Sequence, residues 1–127
     1  MGRMKSIPLS FILICAFFCL ALTHAFAENP CPDSDNIIMQ WLQKQVTVEE
    51  AEQEHLVQDD QLGPDPVPFG FINDDWKKLL SLMQEGDELW EFRSPPETWD
   101  KKHMAGRQGI ALIRDCKVMG TIITLMN

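Results

Sequence analysis

The amino-terminal leader limits both the length of chain that folds and the compartment in which it folds. Arg3 and Lys5 give it a basic start, an apolar run follows from Ile7 to Leu22, and Ala25-Phe26-Ala27 forms a small-x-small cleavage pattern. This order of features is typical of a secretory signal peptide. The apolar run is shorter than the roughly 20 residues that a spanning helix needs, which disfavours an uncleaved anchor. We therefore predict a cleaved signal peptide over residues 1–27 and an exported protein that begins at Glu28.

The mature chain is strongly acidic and long enough for one domain with a modest core. The 127-residue precursor contains 11 Lys and Arg residues and 19 Asp and Glu residues, and Arg3 and Lys5 leave with the signal peptide, so nine basic residues remain against 19 acidic ones. The net charge is therefore about −10. Such a surface repels nucleic-acid phosphates and anionic lipid headgroups. We expect no nucleic-acid partner and no stable membrane insertion.

Two cysteines, Cys31 and Cys116, remain after cleavage. An even number of cysteines in an exported protein is consistent with a single disulfide, and two unpaired thiols are the alternative. Cys116 lies in the segment Arg114-Asp115-Cys116-Lys117, which we predict to be a tight hairpin. Glycine is favoured at this place because the central residues of such a turn need positive φ. A disulfide is one reason to tolerate a cysteine there, and a different type of turn is the other.

Residues 28–68 contain signals for two short helices and a linker. Asp33, Ser34 or Asp35 can cap the first helix, whose apolar face consists of Ile37, Ile38, Trp41 and Leu42. Thr47 and Glu50 have the spacing of a capping box, which predicts a second helix from Val48 to Val57. Proline, glycine and aspartate between Gln58 and Pro68 leave no periodic apolar face and predict a linker.

Residues 69–127 have the patterns of a compact α+β core. Asn73 or Asp74 can cap a helix that Gly86 ends, with an apolar face formed by Trp76, Leu79, Leu80 and Met83. Leu89–Phe92 alternates as a strand, Glu97–Met104 predicts a helical turn that buries Trp99, and the predicted hairpin joins strands at Ile110–Ile113 and Val118–Met126. We predict an α+β fold: an antiparallel sheet of about three strands with helices packed on one face.

The mature sequence contains no recognisable catalytic, metal-binding or cofactor-binding motif. His55 and His103 are its two histidines, and their separation does not fit the H-E-x-x-H pattern of zinc proteases. We therefore predict no metal site and no cofactor. His103 has Glu97 and Asp100 close by in sequence, and this group is the candidate for proton transfer if the protein is a small hydrolase.

A segment rich in tryptophan, proline and arginine is the strongest candidate for ligand binding. Aromatic rings supply contact area, and arginine binds anions through its forked guanidinium. The candidate ligand-binding residues are Trp90, Arg93, Trp99, His103 and Arg107. The alternative is that the tryptophans fill the core and the arginines pair with neighbouring carboxylates.

The same segment resembles a small family of uncharacterised bacterial proteins. The motif is W-E-F-x-S-P-P-x-T-W, followed by A-G-R-x-G-I-A-L-I-R-D-x-K-V and T-L-M-N, within Trp76–Asn127. The resemblance implies a bacterial source, and hence a periplasmic or secreted location, but no activity. The hairpin of this family usually reads D-G, so Cys116 departs from the pattern.

Our sequence-based hypothesis is a non-enzymatic binding or interaction module of the bacterial envelope. Its contact surface would be the sheet edge and the loop from Arg93 to Arg107, and its partner an envelope protein or a small ligand. The alternative is a small periplasmic hydrolase, or a binder of cell-wall fragments, that uses His103 with Glu97 or Asp100.

Overall fold

The computed structural model describes residues 28–127, and the predicted signal peptide lies outside this range. No helix within the described residues is long and apolar enough to cross a membrane. The α-helices are α1 (Ile37–Gln40), α2 (Val48–Glu54) and α3 (Asn73–Ser81). The strands are β1 (Leu42–Val46), β2 (Leu56–Val57), β3 (Val67–Pro68), β4 (Glu88–Arg93), β5 (Arg107–Arg114) and β6 (Lys117–Met126). Three 3₁₀ turns span Asp60–Leu62, Gly70–Ile72 and Pro96–Trp99.

The main sheet has four strands in the order β1-β4-β5-β6, and each neighbouring pair is antiparallel. The predicted α+β class and antiparallel sheet are therefore confirmed, and β1 is a strand beyond the three that we expected. Val46 of β1 lies opposite Leu89 of β4, and Lys44 lies opposite Glu91, with an irregularity in register between Leu42 and Lys44. The segment before residue 69 thus contributes an edge strand to the same sheet as the segment after it.

Both faces of the sheet are covered. Alternation along β4 sends Leu89 to one face and Trp90 and Phe92 to the other, as the sequence predicted. The first core, beneath α2 and α3, contains Val46, Ala51, Phe69, Trp76, Leu79, Leu89, Ile110, Leu112 and Ile122. The second core contains Cys31, Met39, Leu42, Trp90, Phe92, Ala111 and Ile113. The prediction of helices on one face of the sheet is therefore incomplete, because α1 packs Met39 into the second core, on the other face.

The first predicted helix is shorter than expected. Asn36 caps α1, because its side-chain oxygen accepts a hydrogen bond from the Ile38 N–H at 2.9 Å. The predicted continuation of this helix through Leu42 is wrong, since Leu42 begins β1 and is buried in the second core. Bonding to β4 and burial of Leu42 outweigh the helical spacing of the apolar residues.

The second helix begins as predicted and ends earlier. Thr47 caps α2 by accepting a hydrogen bond from the Glu50 N–H at 3.1 Å. The helix ends at Glu54 rather than Val57, because Leu56 and Val57 pair with Pro68 and Val67 in a two-stranded sheet. The stretch predicted as a linker therefore contains β3 and a 3₁₀ turn as well as irregular chain.

The third helix also ends before its predicted stop signal. It begins at Asn73 as expected, and its last residue is Ser81. Gly86 has φ of 87° but lies beyond the helix, in a turn where the Asp87 carboxylate accepts a hydrogen bond from the Gln84 N–H at 2.8 Å. The left-handed conformation that favours glycine is thus used in the connection to β4, not as the cap of α3.

The β5–β6 hairpin is the predicted tight turn. Arg114 pairs with Lys117, and the central residues Asp115 and Cys116 have φ of 48° and 61°. The predicted disulfide is present: Cys31 and Cys116 are bonded, with Cα atoms 5.7 Å apart. This bond accounts for a cysteine where positive φ would favour glycine, and it ties the amino-terminal segment to the end of the sheet.

Candidate functional site

Trp90, the first of the predicted ligand-binding residues, is 2% exposed and packs in the second core. Its indole N–H donates a hydrogen bond to the Glu88 carboxylate at 3.0 Å. A tryptophan that is buried and has a polar partner is well explained by packing. The structure thus places Trp90 beneath the surface rather than in a cleft.

Arg93 and Trp99 form a stacked pair at the surface. The guanidinium carbon of Arg93 lies 4.2 Å from the centre of the Trp99 ring, within the range of a cation–π contact. The half-buried Trp99 indole donates a hydrogen bond to the Ser94 carbonyl at 3.2 Å, and Arg93 donates one to the side chain of Gln108. Among residues 28–127, Arg93 forms no salt bridge with a carboxylate. Its planar group is held in place while remaining exposed.

Ser94 connects this pair to β5, although nothing in its sequence context singled it out. It is 2% exposed. Its hydroxyl lies 2.7 Å from the Thr98 hydroxyl and accepts a hydrogen bond from the Arg107 N–H at 2.8 Å. Its own N–H donates to the Arg107 carbonyl at 2.9 Å. Ser94 therefore fixes the loop between β4 and β5 from which Trp99 reaches Arg93.

Arg107 is directed to the backbone rather than to a ligand cleft. Its guanidinium donates a hydrogen bond to the Gly106 carbonyl at 2.8 Å, and the residue is half-buried. A side chain at Gly106 would collide with the Trp99 ring. The glycine in the A-G-R motif thus lets the backbone lie close to the Trp99 ring, and the Arg107 guanidinium binds the carbonyl of the same glycine.

His103 is exposed on the loop and belongs to a local pair. Its Nδ1 atom lies 2.8 and 2.9 Å from the two carboxylate oxygens of Asp100. No hydrogen bond joins His103 to Glu97 among the described residues. The geometry thus brings Asp100 to His103, and His103 is absent from the linings of the three clefts described below.

A second group of polar side chains comes together where the sequence contains no motif. Glu54 is the last residue of α2, His55 caps the carboxyl end of that helix, and Glu91 lies in the middle of β4. One ligand atom from each side chain lies within 4.8 Å of the others. Pairing of β1 with β4 brings the two elements together, and Lys44 of β1 binds the Glu54 carboxylate at 2.9 Å.

The electrostatics of this group are those of two carboxyl groups in contact. Burial, together with the hydrogen bond and negative charge of Glu54, raises the pKa of Glu91 to about 7. Hydrogen bonds from Glu91 and Lys44 lower the pKa of Glu54. Burial lowers the pKa of His55, which favours the neutral imidazole. Near neutral pH Glu91 is therefore partly protonated, and the neutral imidazole of His55 has a nitrogen that can act as a ligand.

One cleft of about 290 Å³ joins the two groups. Its lining includes Glu54, His55 and Glu91 together with Arg93. The remaining lining residues are Gln43, Phe92, Gln108, Gly109 and Thr124. An adjoining cleft of about 280 Å³ shares Glu54, His55 and Thr124 with it. The arrangement offers a fixed arginine and a set of carboxylate and imidazole donors within one small-molecule-sized space.

A larger groove between α3 and β6 contains less chemistry. Its volume is about 420 Å³, and its lining includes Leu79, Leu82 and Ile122, with Asp75 and Lys78 as its charged residues. A groove of this kind suits apolar contact, but it lacks convergent polar groups. The cleft between Arg93 and Glu54 is therefore the better candidate site, although it is smaller.

A scan against protein-family models and searches of the curated proteins and the solved structures found no match to this chain. The resemblance of the segment from Trp76 to Asn127 to an uncharacterised bacterial family therefore stays a prediction.

Proposed function

We propose that the protein is an exported, non-enzymatic binding module of the bacterial envelope that holds a small carboxylate-bearing ligand in the cleft beside Arg93. The supporting observation is the Arg93 guanidinium, which is stacked on Trp99, lacks a carboxylate partner among residues 28–127 and lines the cleft. Arg107 also lacks a carboxylate partner among these residues, but its guanidinium is bound to the Gly106 carbonyl, whereas the Arg93 guanidinium is stacked on an indole at the cleft.

The chemistry of arginine explains why a carboxylate is the preferred ligand group. A guanidinium donates two parallel hydrogen bonds to a carboxylate, and stacking on an indole face fixes the plane in which those donors lie. The hydrogen bond from Arg93 to Gln108 further restricts the side chain. Because less side-chain entropy is lost on binding, a pre-positioned arginine binds more tightly than a mobile one.

Export is supported by the leader and by the disulfide. The leader has the basic, apolar and small-x-small order of a signal peptide, and a disulfide such as Cys31–Cys116 persists in oxidising compartments. We expect the protein released by bacteria that express the whole precursor to begin at Glu28. Amino-terminal sequencing of the released protein tests this, and a released chain that still begins at Met1 would contradict it.

The ligand hypothesis is tested by NMR titration of the protein with the dipeptide Ala-Ala and with its carboxyl-terminal amide. We expect the free acid to shift the Trp99 indole signal and the Arg93 side-chain signal, and the amide to do so at least about tenfold more weakly, since it lacks the charge for an ion pair. Arg93→Gln should abolish the effect, and Arg93→Lys should retain only part of it because the fork is lost.

The matched control is Lys101→Gln, which removes one positive charge from the same loop without changing Arg93. It should bind the dipeptide like the wild type. Equal shifts with the acid and the amide, or equal binding by Arg93→Gln and the wild type, would contradict a carboxylate site at Arg93.

A further inference from the structure

We propose that Glu54, His55 and Glu91 form a binding site for a divalent transition-metal ion of the Zn²⁺ type. This inference goes beyond the proposed function and does not depend on Arg93 or on any carboxylate ligand. It rests on the convergence of one imidazole and two carboxylates from α2 and β4, whose ligand atoms lie within 4.8 Å of one another.

The potential metal ligands of this site make few hydrogen bonds to the rest of the protein. Within residues 28–127 the His55 imidazole makes no side-chain hydrogen bond, and the hydrogen-bonding partner of the Glu91 carboxyl group is the Glu54 carboxyl group. Both residues are only partly exposed. By contrast, the buried Asp87 carboxylate and the exposed His103 ring each have hydrogen-bonding partners. A carboxyl group whose hydrogen-bonding partner is a second carboxyl group, beside an imidazole without a partner, is an arrangement that a bound cation can stabilise.

The donor types select the class of metal. Imidazole together with carboxylate suits Zn²⁺ and neighbouring first-row ions, whereas Ca²⁺ and Mg²⁺ prefer oxygen donors alone. A cation between Glu54 and Glu91 would also offset the repulsion between two carboxylates in contact. Three protein ligands leave a fourth position open, and all three residues line the cleft together with Gln108 and Thr124.

Supporting contacts already orient two of the three ligands. The His55 ring stacks on Phe69, with ring centres 4.6 Å apart, and the Lys44 ammonium holds one oxygen of Glu54 at 2.9 Å. Such outer contacts fix the orientation of metal ligands. The positive charge of Lys44 opposes a cation, so this site should bind more weakly than a closed structural zinc site.

Isothermal titration with ZnCl₂ alone tests the site on the protein purified from cells that express the full precursor and freed of metal by a chelator. We expect the wild type to bind one Zn²⁺ per chain. His55→Asn and Glu91→Gln should each weaken binding at least about tenfold, as expected for loss of a ligand. Thermal melts without metal show that each variant is folded.

His103→Asn is the matched control, because it removes the other mature histidine, which also has a carboxylate neighbour in Asp100. This variant should bind Zn²⁺ like the wild type. In NMR spectra of the histidine rings, Zn²⁺ should shift the signals of His55 and leave those of His103 in place.

Absence of saturable Zn²⁺ binding by the wild type would overturn the site. So would equal binding by the wild type and a folded His55→Asn variant, or loss of binding in His103→Asn, since each would assign the ion elsewhere. Because no dipeptide is present, these outcomes are independent of the Arg93 titration, and either proposal can fail without the other.

Discussion

The two ends of the main sheet differ in how their charged side chains are paired. At the hairpin end, Arg114 donates hydrogen bonds to both oxygens of Asp87, at 2.8 and 2.7 Å, and to the Leu82 carbonyl at 3.0 Å. The Asp87 side chain is 1% exposed. The hydrogen bonds from Arg114 lower its pKa to about 2. The Cys31–Cys116 disulfide lies at the same end.

At the cleft end, opposite charges are matched only in part: Lys44 pairs with Glu54 at 2.9 Å, and no bidentate pair like Asp87–Arg114 is present among residues 28–127. Glu54 and Glu91 lie against each other, Arg93 faces the same cleft without a carboxylate partner among the described residues, and His55 is left neutral. A bidentate pair such as Asp87–Arg114 stabilises a fold. Unmatched groups around a cleft are typical of a functional site instead. The difference supports a stabilising role for the hairpin end and places the proposed binding site at the cleft end.

The largest effect should come from removing the disulfide. Cys31 and Cys116 are separated by 85 residues, so the bond restricts a long loop in the unfolded chain. The Cys31→Ser/Cys116→Ser double variant should lose about 3 to 4 kcal/mol of unfolding free energy, measured in denaturant titrations. Its affinity for Zn²⁺ should not change in conditions where it is folded, because the proposed metal ligands, Glu54, His55 and Glu91, make no contact with the disulfide that the structure records.

A second double variant isolates the cost of backbone conformation at the turn. Cys116 has φ of 61°. Cys31→Ser/Cys116→Gly should therefore recover about 1 kcal/mol relative to the double serine variant, since glycine adopts this region freely. Equal stability of the wild type and both double variants would show that the disulfide does not stabilise the hairpin end.

The hairpin end could be predicted from sequence because its signals are local. The dipeptide Asp115-Cys116 lies between β-branched runs, and two cysteines in a chain that is predicted to be exported suggest a bond. Strand β1 could not be predicted in the same way. Its sequence, Leu-Gln-Lys-Gln-Val, is exposed at its three central residues, and the change of register near Leu42 removes regular alternation. The helical spacing of the apolar residues before it therefore led to the prediction of a helix through Leu42.

The candidate site could likewise be predicted from the sequence only in part. Arg93 and Trp99 were found because they are close in sequence and chemically distinctive. The Glu54–His55–Glu91 group was missed because Glu91 is far along the chain from the other two, and only the pairing of β1 with β4 brings them together. One signal was present: Glu91 alternates onto the same face as Leu89, so a charged group points toward the core side of the sheet.

The next largest effect should be a pH dependence that originates at Glu91. The groups around its carboxyl are Glu54, Lys44, Glu50, His55 and, along the cleft, Arg93. The pKa of Glu91 is raised from 4.5 to about 7 in the folded protein. Folding therefore favours the protonated form of Glu91. This contribution to stability is lost as pH rises from the pKa of the unfolded chain through the pKa of the folded protein.

Glu91→Gln tests this directly in the presence of chelator. The variant keeps a neutral group, so at about pH 8 it should be more stable than the wild type by about 1 to 2 kcal/mol, an amount reduced by solvent at the open side of the cleft. At about pH 4 the two should have similar stability, because the wild-type carboxyl is then protonated. A stability difference that does not vary with pH would show that Glu54 and Glu91 do not interact as the structure describes.

The smallest effect should come from Arg107, which lies at the cleft end but is bound to the backbone. Its guanidinium donates to the Gly106 carbonyl at 2.8 Å, and among residues 28–127 it forms no salt bridge with a carboxylate. Arg107→Ala should therefore cost about 1 kcal/mol, the range of one net hydrogen bond, and the loss should persist at about 1 M salt because no exposed ion pair is broken.

The Arg107→Lys variant sharpens this result. Its ammonium keeps the charge but not the planar fork, so we expect its melting temperature to lie between those of the wild type and Arg107→Ala. A lysine variant that melts like the wild type would show that the fork is not needed. A loss in Arg107→Ala that disappears in salt would instead reveal a carboxylate partner. Arg107 would then be paired with a carboxylate, as Arg114 is at the hairpin end. The two ends of the sheet would no longer differ in charge pairing at this residue.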